Sequence, residues 1–177
     1  MTFELMGDAA MYALMSHEKQ VRKYTGEPYI AHPAEVAGYV WLYNGSPHAV
    51  AAAWLHDVVE DCGVPLETIL KRFGQEVHDL VHQLTDITTP QDGNRAKRKE
   101  IERARWPNAS KEAKLIKLAD LISNTRSIVK NDPGFAKVYM QEKKLLLPHL
   151  RSGNEALWGI ANNLVCDWEV EALLKAS

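Results

Sequence analysis

The stretch AAAWLHDVVED, residues 51–61, joins an apolar helical segment to a histidine and three carboxylates. Ser46-Pro47 supplies a cap and a first turn ahead of it, so we predict one helix that continues to about Val59. Trp54 and Leu55 are its expected core residues. The apolar spacing is also helical in the rest of the chain, with no convincing run of strict alternation. The sequence therefore predicts an all-α fold of about eight to ten helices.

The acidic end of this stretch needs a compensating positive charge. On a continuous helix His56 faces Glu60 and Asp57 faces Asp61, because residues four apart share a face. The carboxylates would also crowd the end of a helix, where the macrodipole disfavours each negative charge by ~0.3–1 kcal/mol. A bound metal ion would supply the cation. The alternative is a solvated acidic helix end, with His56 hydrogen-bonded in the core.

Turn residues divide the remaining chain into further helices. Gly and Pro interrupt the pattern between Lys23 and Pro28, and Asp132-Pro133-Gly134 is predicted to be a turn. The clearest long loop is predicted at residues 88–94. The other predicted helices are 3–17, 33–43, 65–73, 75–84, 95–105, 110–129 and two more that are divided near Ser152-Gly153.

Composition indicates a soluble globular chain of one domain. The 177 residues are 46% hydrophobic and 25% charged, which excludes disordered and collagen-like classes. No apolar run approaches the ~18 residues of a membrane span, and the N-terminus lacks the pattern of a signal peptide. Cys62 and Cys166 form neither a disulfide framework nor a metal-binding pair. We therefore expect a cytoplasmic protein without a membrane partner.

Positive charge is concentrated between Arg95 and Lys117, although the net charge is only −2. This segment holds nine basic and three acidic residues. A nearly neutral chain argues against a nucleic-acid partner, because nucleic-acid-binding domains tend to be basic as a whole. A local basic segment fits a small polyanion better, and the alternative is a solvated helix face.

Four polar residues share one side of the long helix predicted at 110–129. Lys117, Asp120, Asn124 and Ser127 are spaced by three, four and three residues, which places them in one stripe. The stripe is either a solvent-facing surface or the wall of a pocket. Asp and Asn are poor formers of helix interiors, so their presence favours the pocket.

His32, His56, Asp57 and Asp120 together offer two imidazoles and two carboxylates from three helices. Such mixed nitrogen and oxygen ligation suits Mn²⁺, Fe²⁺ or Zn²⁺, and the lack of cysteine ligands argues against a structural zinc site. His32 stands at a predicted helix entry, where a lone histidine is more often a cap or a core hydrogen-bonding residue.

Three motifs resemble those of a known family. The sequence QVRKYTGEPYIAHP, residues 20–33, is similar to the RK-x-x-GEPYI-x-HP signature of RelA/SpoT-type alarmone hydrolases, which belong to the HD superfamily of metal-dependent phosphohydrolases. LHDVVED at 55–61 resembles their LHD-x-x-ED, and AKLIKLAD at 113–120 follows in the same order, with Asn124 after it. The resemblance covers about residues 6–150.

This resemblance implies a small stand-alone hydrolase with an HD-domain helical fold. The expected architecture is a single HD hydrolase domain over 1–177, with a motif-bearing core at about 6–150 and a C-terminal helix at 154–175. About twenty-seven residues follow Leu150, too few for the synthetase domain of longer members. The implied reaction removes the 3′-pyrophosphate of ppGpp or pppGpp, giving GDP or GTP and pyrophosphate.

The resemblance also implies a role for each matching residue. His32, His56, Asp57 and Asp120 would hold Mn²⁺, with Zn²⁺ or Fe²⁺ as alternatives, and the Glu60-Asp61 pair would orient the attacking water and carry protons. The implied substrate contacts are Arg22 and Lys23 for guanine, Asn124 and Ser127 for the ribose, Tyr139 for closure of the base pocket, and Lys97, Arg98 and Arg103 for the phosphates.

The sequence departs from the family pattern at two places. Cys62 stands where Thr is usual, and Leu121-Ile122-Ser123 replaces the common R-L-H. We expect the second change to affect the pocket lining rather than metal ligation, which leaves an adenine alarmone such as ppApp open as a substrate. The alternatives are an HD phosphohydrolase of another nucleotide, such as a 5′-nucleotide or NADPH, and a metal-free HD module with a regulatory role.

Overall fold

The computed structural model describes the backbone of residues 2–176, and the side chains of residues 3–170 and 174 within that range. The described chain forms ten α-helices and two short 3₁₀ turns, and its only extended pairing is a bridge between Val21 and Pro28. The prediction of an all-α fold is confirmed. The helices are α1 (Thr2–Ser16), α2 (Ala31–Leu42), α3 (Pro47–Leu55), α4 (Val58–Cys62), α5 (Leu66–Phe73), α6 (Gln75–Leu84), α7 (Arg95–Arg105), α8 (Lys111–Asn131), α9 (Pro133–Leu150) and α10 (Glu155–Ala176).

The continuous helix predicted to reach Val59 is wrong, because α3 ends at Leu55 and α4 starts at Val58. His56 is the C-cap residue that follows α3, and its Nδ1 donates to the carbonyl of Ala53 at 2.8 Å. Asp57 is the N-cap residue of α4, with φ −100° and ψ −8°. Successive side chains on a regular helix diverge by about 100°. The break therefore allows two consecutive residues to point to one centre.

The second difference between the predicted and the observed helices lies between α8 and α9, where a turn was predicted at Asp132-Pro133-Gly134. The structure instead starts α9 at Pro133, and the Asp132 Oδ1 accepts a hydrogen bond from the Phe135 N–H at 3.1 Å. Asp is a strong N-cap residue, and Pro fits the first helical position because its φ is preset. The loop predicted at 88–94 holds only a 3₁₀ turn, Pro90–Asp92.

Helices α3 and α8 form the centre of the packing. Helix α3 lies against α1, α2, α6 and α8, and α8 also packs on α9 and α10. Leu55 is fully buried, as predicted, whereas Trp54 is only partly buried at the edge of the core. None of the helices within residues 2–176 has the length and apolarity that a bilayer crossing demands.

Gly153 allows the chain after α9 to lie directly against α8. A Cβ atom at this position would stand 2.7 Å from the Leu115 backbone nitrogen and 2.7 Å from the Lys114 carbonyl carbon. We therefore expect Gly153→Ala to lower the free energy of unfolding by about 1–3 kcal/mol, through overpacking against rigid backbone. Urea unfolding followed by circular dichroism measures this change.

Gly159 provides the matched control, because it lies within α10 with open space around its Cβ position. Gly159→Ala should leave the protein as stable as the wild type, or more stable by up to about 1 kcal/mol, since Gly is a poor helix former. Equal effects of the two substitutions would contradict the role of Gly153.

Candidate active site

The four predicted metal ligands come together in the structure from four positions in the fold. His32 lies in the first turn of α2, His56 ends α3, Asp57 caps α4, and Asp120 lies in the middle of α8. His32, His56 and Asp120 are buried, with exposed fractions of 2%, 4% and 7%. Residues far apart in the sequence thus form one enclosed polar centre, at the junction of α2, α3 and α8.

The spacing of their atoms suits a single ion. Asp57 Oδ2 lies 3.1 Å from His56 Nε2 and 3.5 Å from His32 Nε2. Asp120 Oδ1 lies 3.4 Å from His32 Nε2 and 4.0 Å from His56 Nε2. Ligand bonds of roughly 2.0–2.2 Å allow two ligand atoms to stand up to about 4.4 Å apart. The ligand atoms of His32, His56 and Asp57 all lie within 4.8 Å of one another, and Asp120 Oδ1 stands beside both imidazoles, so these atoms surround a position suited to one ion.

Both histidines offer a lone pair to this centre. Each Nε2 atom is buried and has no hydrogen-bond partner among the described residues. The Nδ1–H of His56 donates to the Ala53 carbonyl, which leaves Nε2 unprotonated in the neutral ring. Unpartnered nitrogens that face carboxylates are the arrangement expected at a metal site. The donor set, two imidazoles and two carboxylates, fits a divalent cation.

A hydrogen-bond relay from His32 through Ser123 to Glu35 fixes the tautomer of this second histidine in the same way. His32 Nδ1 lies 2.9 Å from Ser123 Oγ, and that hydroxyl donates to Glu35 Oε2 at 2.6 Å. Because the hydroxyl hydrogen is committed to Glu35, Ser123 Oγ accepts from the Nδ1–H of His32. The Nε2 atom of His32 is then the free acceptor, directed at Asp57 and Asp120.

This relay corrects the expectation for Leu121-Ile122-Ser123. We expected these residues to line the pocket, but their exposed fractions are 1%, 0% and 3%, and Ser123 bonds a predicted metal ligand. The reason is helical geometry, since α8 turns Asp120 and Asn124 toward the pocket and the three residues between them toward α2 and the core. This departure from the family pattern therefore affects the residue that orients His32, and it gives no reason to expect an adenine base.

We expect Ser123→Ala to weaken Mn²⁺ binding by about tenfold, because residues that orient a metal-bound histidine typically contribute 10–100-fold to affinity. Titration calorimetry on the metal-free protein measures this change. Arg126→Gln is the control, since it removes the other partner of Glu35, a guanidinium 3.7 Å away and outside the relay. Equal affinities of Ser123→Ala and the wild type would contradict the relay.

Electrostatics favour a cation in this centre. Burial would lower the pKa of His56, but the neighbouring Asp57 and Asp120 carboxylates raise it to about 9. Burial would likewise raise the pKa of Asp57, yet the adjacent His56 holds it below its usual range. The two carboxylates therefore require positive charge between them, from a proton or from a metal ion.

Two further residues, Tyr29 and Lys117, position the carboxylates, and the sequence analysis did not assign them to the site. The Tyr29 hydroxyl donates to Asp57 Oδ2 at 2.6 Å, and burial followed by the Asp57 charge raises the pKa of Tyr29, so the donor proton is retained. Lys117 Nζ donates to Asp120 Oδ2 at 2.8 Å. Tyr29 lies inside the 20–33 motif and Lys117 belongs to the α8 stripe, so both signals were present in the sequence.

The centre opens into a pocket of about 230 Å³, called here the metal pocket. Glu60 and Tyr139 line it, as do Lys117, Asp120 and Asn124 of the predicted stripe. Asp61 is not among its lining residues, and its Oδ2 accepts a hydrogen bond from Gln20 at 2.8 Å. The structure thus places Glu60 in the pocket lining, whereas Asp61 lies behind Tyr29, on which its charge also acts.

A neighbouring pocket of about 290 Å³, the base pocket, lies beyond Tyr29 and Asn124, which line both pockets. Arg22, Lys23 and Ser127 line it as well. The Arg22 guanidinium contacts Asn124 Oδ1 at 3.3 Å. The α8 stripe is therefore a pocket wall along its whole length, which favours the second of the two interpretations of the sequence.

The basic residues are distributed differently from the sequence expectation. Lys97 and Arg98 line neither the metal pocket nor the base pocket, and Lys97 pairs with Glu100 at 2.9 Å. Arg103 lines a small recess beside the metal pocket. The cations that line the metal pocket are Arg95, Lys99, Lys117 and Lys143.

Comparison with known proteins shows the family to which this chain belongs. The HD domain family matches residues 9–147, a range that contains every predicted site residue. The guanosine-3′,5′-bis(diphosphate) 3′-pyrophosphohydrolase MESH1 of Xenopus tropicalis is 33% identical over 171 residues, covering 92% of this chain and 94% of that protein. The Homo sapiens protein of the same name is 39% identical over 139 residues, 76% of each chain. A solved structure, a metazoan orthologue of SpoT that hydrolyses ppGpp, superposes with a TM-score of 0.83 at 29% identity, covering 92% of this chain and 94% of that one.

Proposed function

Because this chain belongs to the HD-domain family, we propose that it hydrolyses the 3′-pyrophosphate of ppGpp and pppGpp, releasing pyrophosphate and GDP or GTP. The observation that carries the proposal is the buried centre of two imidazole lone pairs and two carboxylates, which opens directly into a pocket of nucleotide size. The relatives named above that are 33% and 39% identical carry this activity in their names.

The proposed ligands are His32, His56 and Asp57, whose ligand atoms lie within 4.8 Å of one another, and Asp120, whose Oδ1 lies within 4.0 Å of both imidazole nitrogens. We propose Mn²⁺, with Zn²⁺ and Fe²⁺ as alternatives that accept the same donors. When bound, the ion acidifies a water molecule and polarises the 3′-phosphate. Tyr29 and Lys117 hold the two carboxylates in position by donating to the oxygens named above.

Glu60 is the proposed carrier of protons. Burial raises its pKa, which brings the carboxylate closer to the range where a base works near neutral pH. Its Oε1 is held by the Asp86 backbone N–H at 2.5 Å. Glu60 takes a proton from the water that attacks the phosphorus attached to O3′, and it returns that proton to O3′ as the P–O3′ bond breaks. Asp61, which accepts a hydrogen bond from the Gln20 side chain and also acts on Tyr29, is proposed to assist Glu60 from outside the pocket lining.

The base pocket is the proposed site of the nucleoside. Arg22 lies 5.8 Å from the Tyr29 ring centroid and presents a flat guanidinium for stacking and hydrogen bonding, with Lys23 beside it. Asn124 lines both pockets and Ser127 follows it along α8 in the base pocket, and the ribose is proposed to lie against these two residues. Tyr139 lines the metal pocket, so its proposed contact is nearer to the ribose and phosphates than to the base.

The partner in this proposal is a small nucleotide, in a cytoplasmic enzyme whose single HD hydrolase domain spans 1–177. Lys97, Arg98 and Arg103 remain proposed phosphate contacts from the resemblance, and the pocket lining supports Arg103 best.

The test is an assay of the purified protein with Mn²⁺ on ppGpp and ppApp side by side, with products resolved by anion exchange. Release of pyrophosphate together with GDP is the expected result, and the ratio of the two rates measures the base preference. Orthophosphate released from a 5′-nucleotide or from NADPH, with both alarmones intact, would support the other phosphohydrolase. Protein that binds Mn²⁺ and cleaves none of these substrates would contradict the proposal.

A further inference from the structure

The metal pocket continues into a small enclosed recess on the side opposite the base pocket. The recess measures about 40 Å³ and shares Asp86, Lys99, Lys117 and Lys143 with the metal pocket as lining residues. A water molecule needs roughly 10–15 Å³ of such space, so the recess has room for a few oxygen atoms and none for a nucleoside. Base pocket, metal centre and recess thus follow one another in a row.

Two cations of this recess have no anionic partner. Lys99 pairs with Asp86 at 2.8 Å, and Lys117 pairs with Asp120. The other two carboxylates are also committed, since Glu102 binds Arg105 and Glu142 binds Arg95, both at 2.7 Å. The side chains of Lys143 and Arg103 make no hydrogen bond or ion pair in the described part of the chain, and the carboxylates of Glu142 and Glu100 act on them only at longer range. Four cationic side chains thus face three carboxylates in the lining, which leaves the recess with a surplus of positive charge.

Lys143 lies at the boundary between the recess and the metal pocket. Its Nζ is 4.6 Å from the Tyr139 ring centroid, so an aromatic face is its nearest stabilising contact. Burial, followed by the charge of Lys117, lowers the pKa of Lys143 to about 8. A bound anion at this boundary would relieve both the burial cost and the repulsion between the two lysines.

We propose that Lys143 binds the distal phosphate of a 3′-diphosphate, with the recess accepting its terminal oxygens, so that the enzyme distinguishes a 3′-diphosphate from a 3′-monophosphate. This inference rests on the proposed function. The distal phosphate is one bridging oxygen from the phosphate at the metal, and Lys117 extends from Asp120 to the boundary. The nucleoside lies on the other side, which places the distal phosphate rather than the base toward Lys143.

The test compares Lys143→Gln with Lys144→Gln in the Mn²⁺-loaded enzyme. Lys144 is the next residue of α9, exposed and paired with Glu169 at 2.7 Å, so it matches the charge change outside the pocket. The substrates are ppGpp and its analogue with a single 3′-phosphate. We expect Lys143→Gln to lower the ratio of kcat/KM for the diphosphate over the monophosphate by about tenfold, as for one charged hydrogen bond. Lys144→Gln should leave the ratio unchanged.

Pyrophosphate binding gives a second readout that needs no turnover. Calorimetric titration of pyrophosphate into the metal-free protein should show affinity about tenfold weaker in Lys143→Gln than in Lys144→Gln, with a smaller change for orthophosphate. Equal losses on both substrates, or pyrophosphate affinity equal in the two variants, would overturn the proposal. A wild-type protein that binds pyrophosphate through Lys143 but cleaves no alarmone would contradict the proposed function and leave this subsite standing. An effect on kcat/KM that disappears when the 5′-phosphates are removed would assign Lys143 to the 5′ side and overturn the proposal.

Discussion

Glu60→Gln should lower kcat on ppGpp by roughly 10²–10⁴-fold while the protein keeps its metal, because proton transfer by a positioned carboxylate contributes this much to a rate. Glu60 lines the metal pocket but makes no ion pair with His32 or His56, whereas Asp57 and Asp120 each lie within 4.0 Å of both imidazole Nε2 atoms. The amide has nearly the shape of the carboxylate and cannot accept the proton. Stopped assays with product separation, together with metal analysis after gel filtration, measure both quantities.

Asp61→Asn is the matched comparison, since the same change is made one residue later. Asp61 bonds Gln20 and does not line the metal pocket, so Asp61→Asn should lower the activity much less than Glu60→Gln does. If Asp61→Asn is as inactive as Glu60→Gln, the two carboxylates act together and the separate roles proposed here are wrong. If Glu60→Gln loses its metal, Glu60 is a ligand rather than a proton carrier.

Asp120→Asn should release the metal and abolish activity with it. The change keeps the shape of the side chain but removes the negative charge that faces His32 Nε2 and accepts from Lys117 and Asn124. The change also removes the carboxylate that pairs with the Lys117 ammonium and leaves only the more distant Asp86 and Glu60, so we expect the free energy of unfolding to fall by about 3 kcal/mol. Metal content after gel filtration and urea unfolding are the two measurements.

Asp86→Asn is the control for this change. Asp86 is a carboxylate of the same pocket that pairs with Lys99 at 2.8 Å and stands outside the ligand group, so this variant should retain the metal. Circular dichroism of Asp120→Asn separates loss of a ligand from loss of the fold. A folded Asp120→Asn protein with its full complement of Mn²⁺ would remove Asp120 from the ligand set.

The sequence predicted which side chains come together at the site better than it predicted the geometry that joins them. The residues of the four-ligand set follow from donor chemistry and motif spacing, and the structure brings all four together. The break at His56 and Asp57 was missed because its surroundings come from other parts of the fold: the Tyr29 hydroxyl donates to Asp57, and His56 faces Asp120. Apolar spacing alone continues smoothly through this point.

The supporting residues were harder to predict, for two physical reasons. Ser123 looked like part of a pocket lining because the side of a helix that meets a neighbour is set by packing, not by the local sequence. Lys143 is one of several lysines on α9 and carries no sequence signal. Its significance depends on which of its neighbours already have carboxylate partners, which is a property of the folded chain.

The break between α3 and α4 has a consequence for the stability of the whole domain. Because His56 and Asp57 are consecutive residues at this break, an ion held there with His32 and Asp120 would act as a cross-link between chain segments twenty-four and sixty-three residues apart. Such a cross-link stabilises only the folded state, by about 2.7 kcal/mol at a free ion concentration of 100 times Kd. Supply of the metal would then govern the lifetime of the folded protein as well as its rate of catalysis.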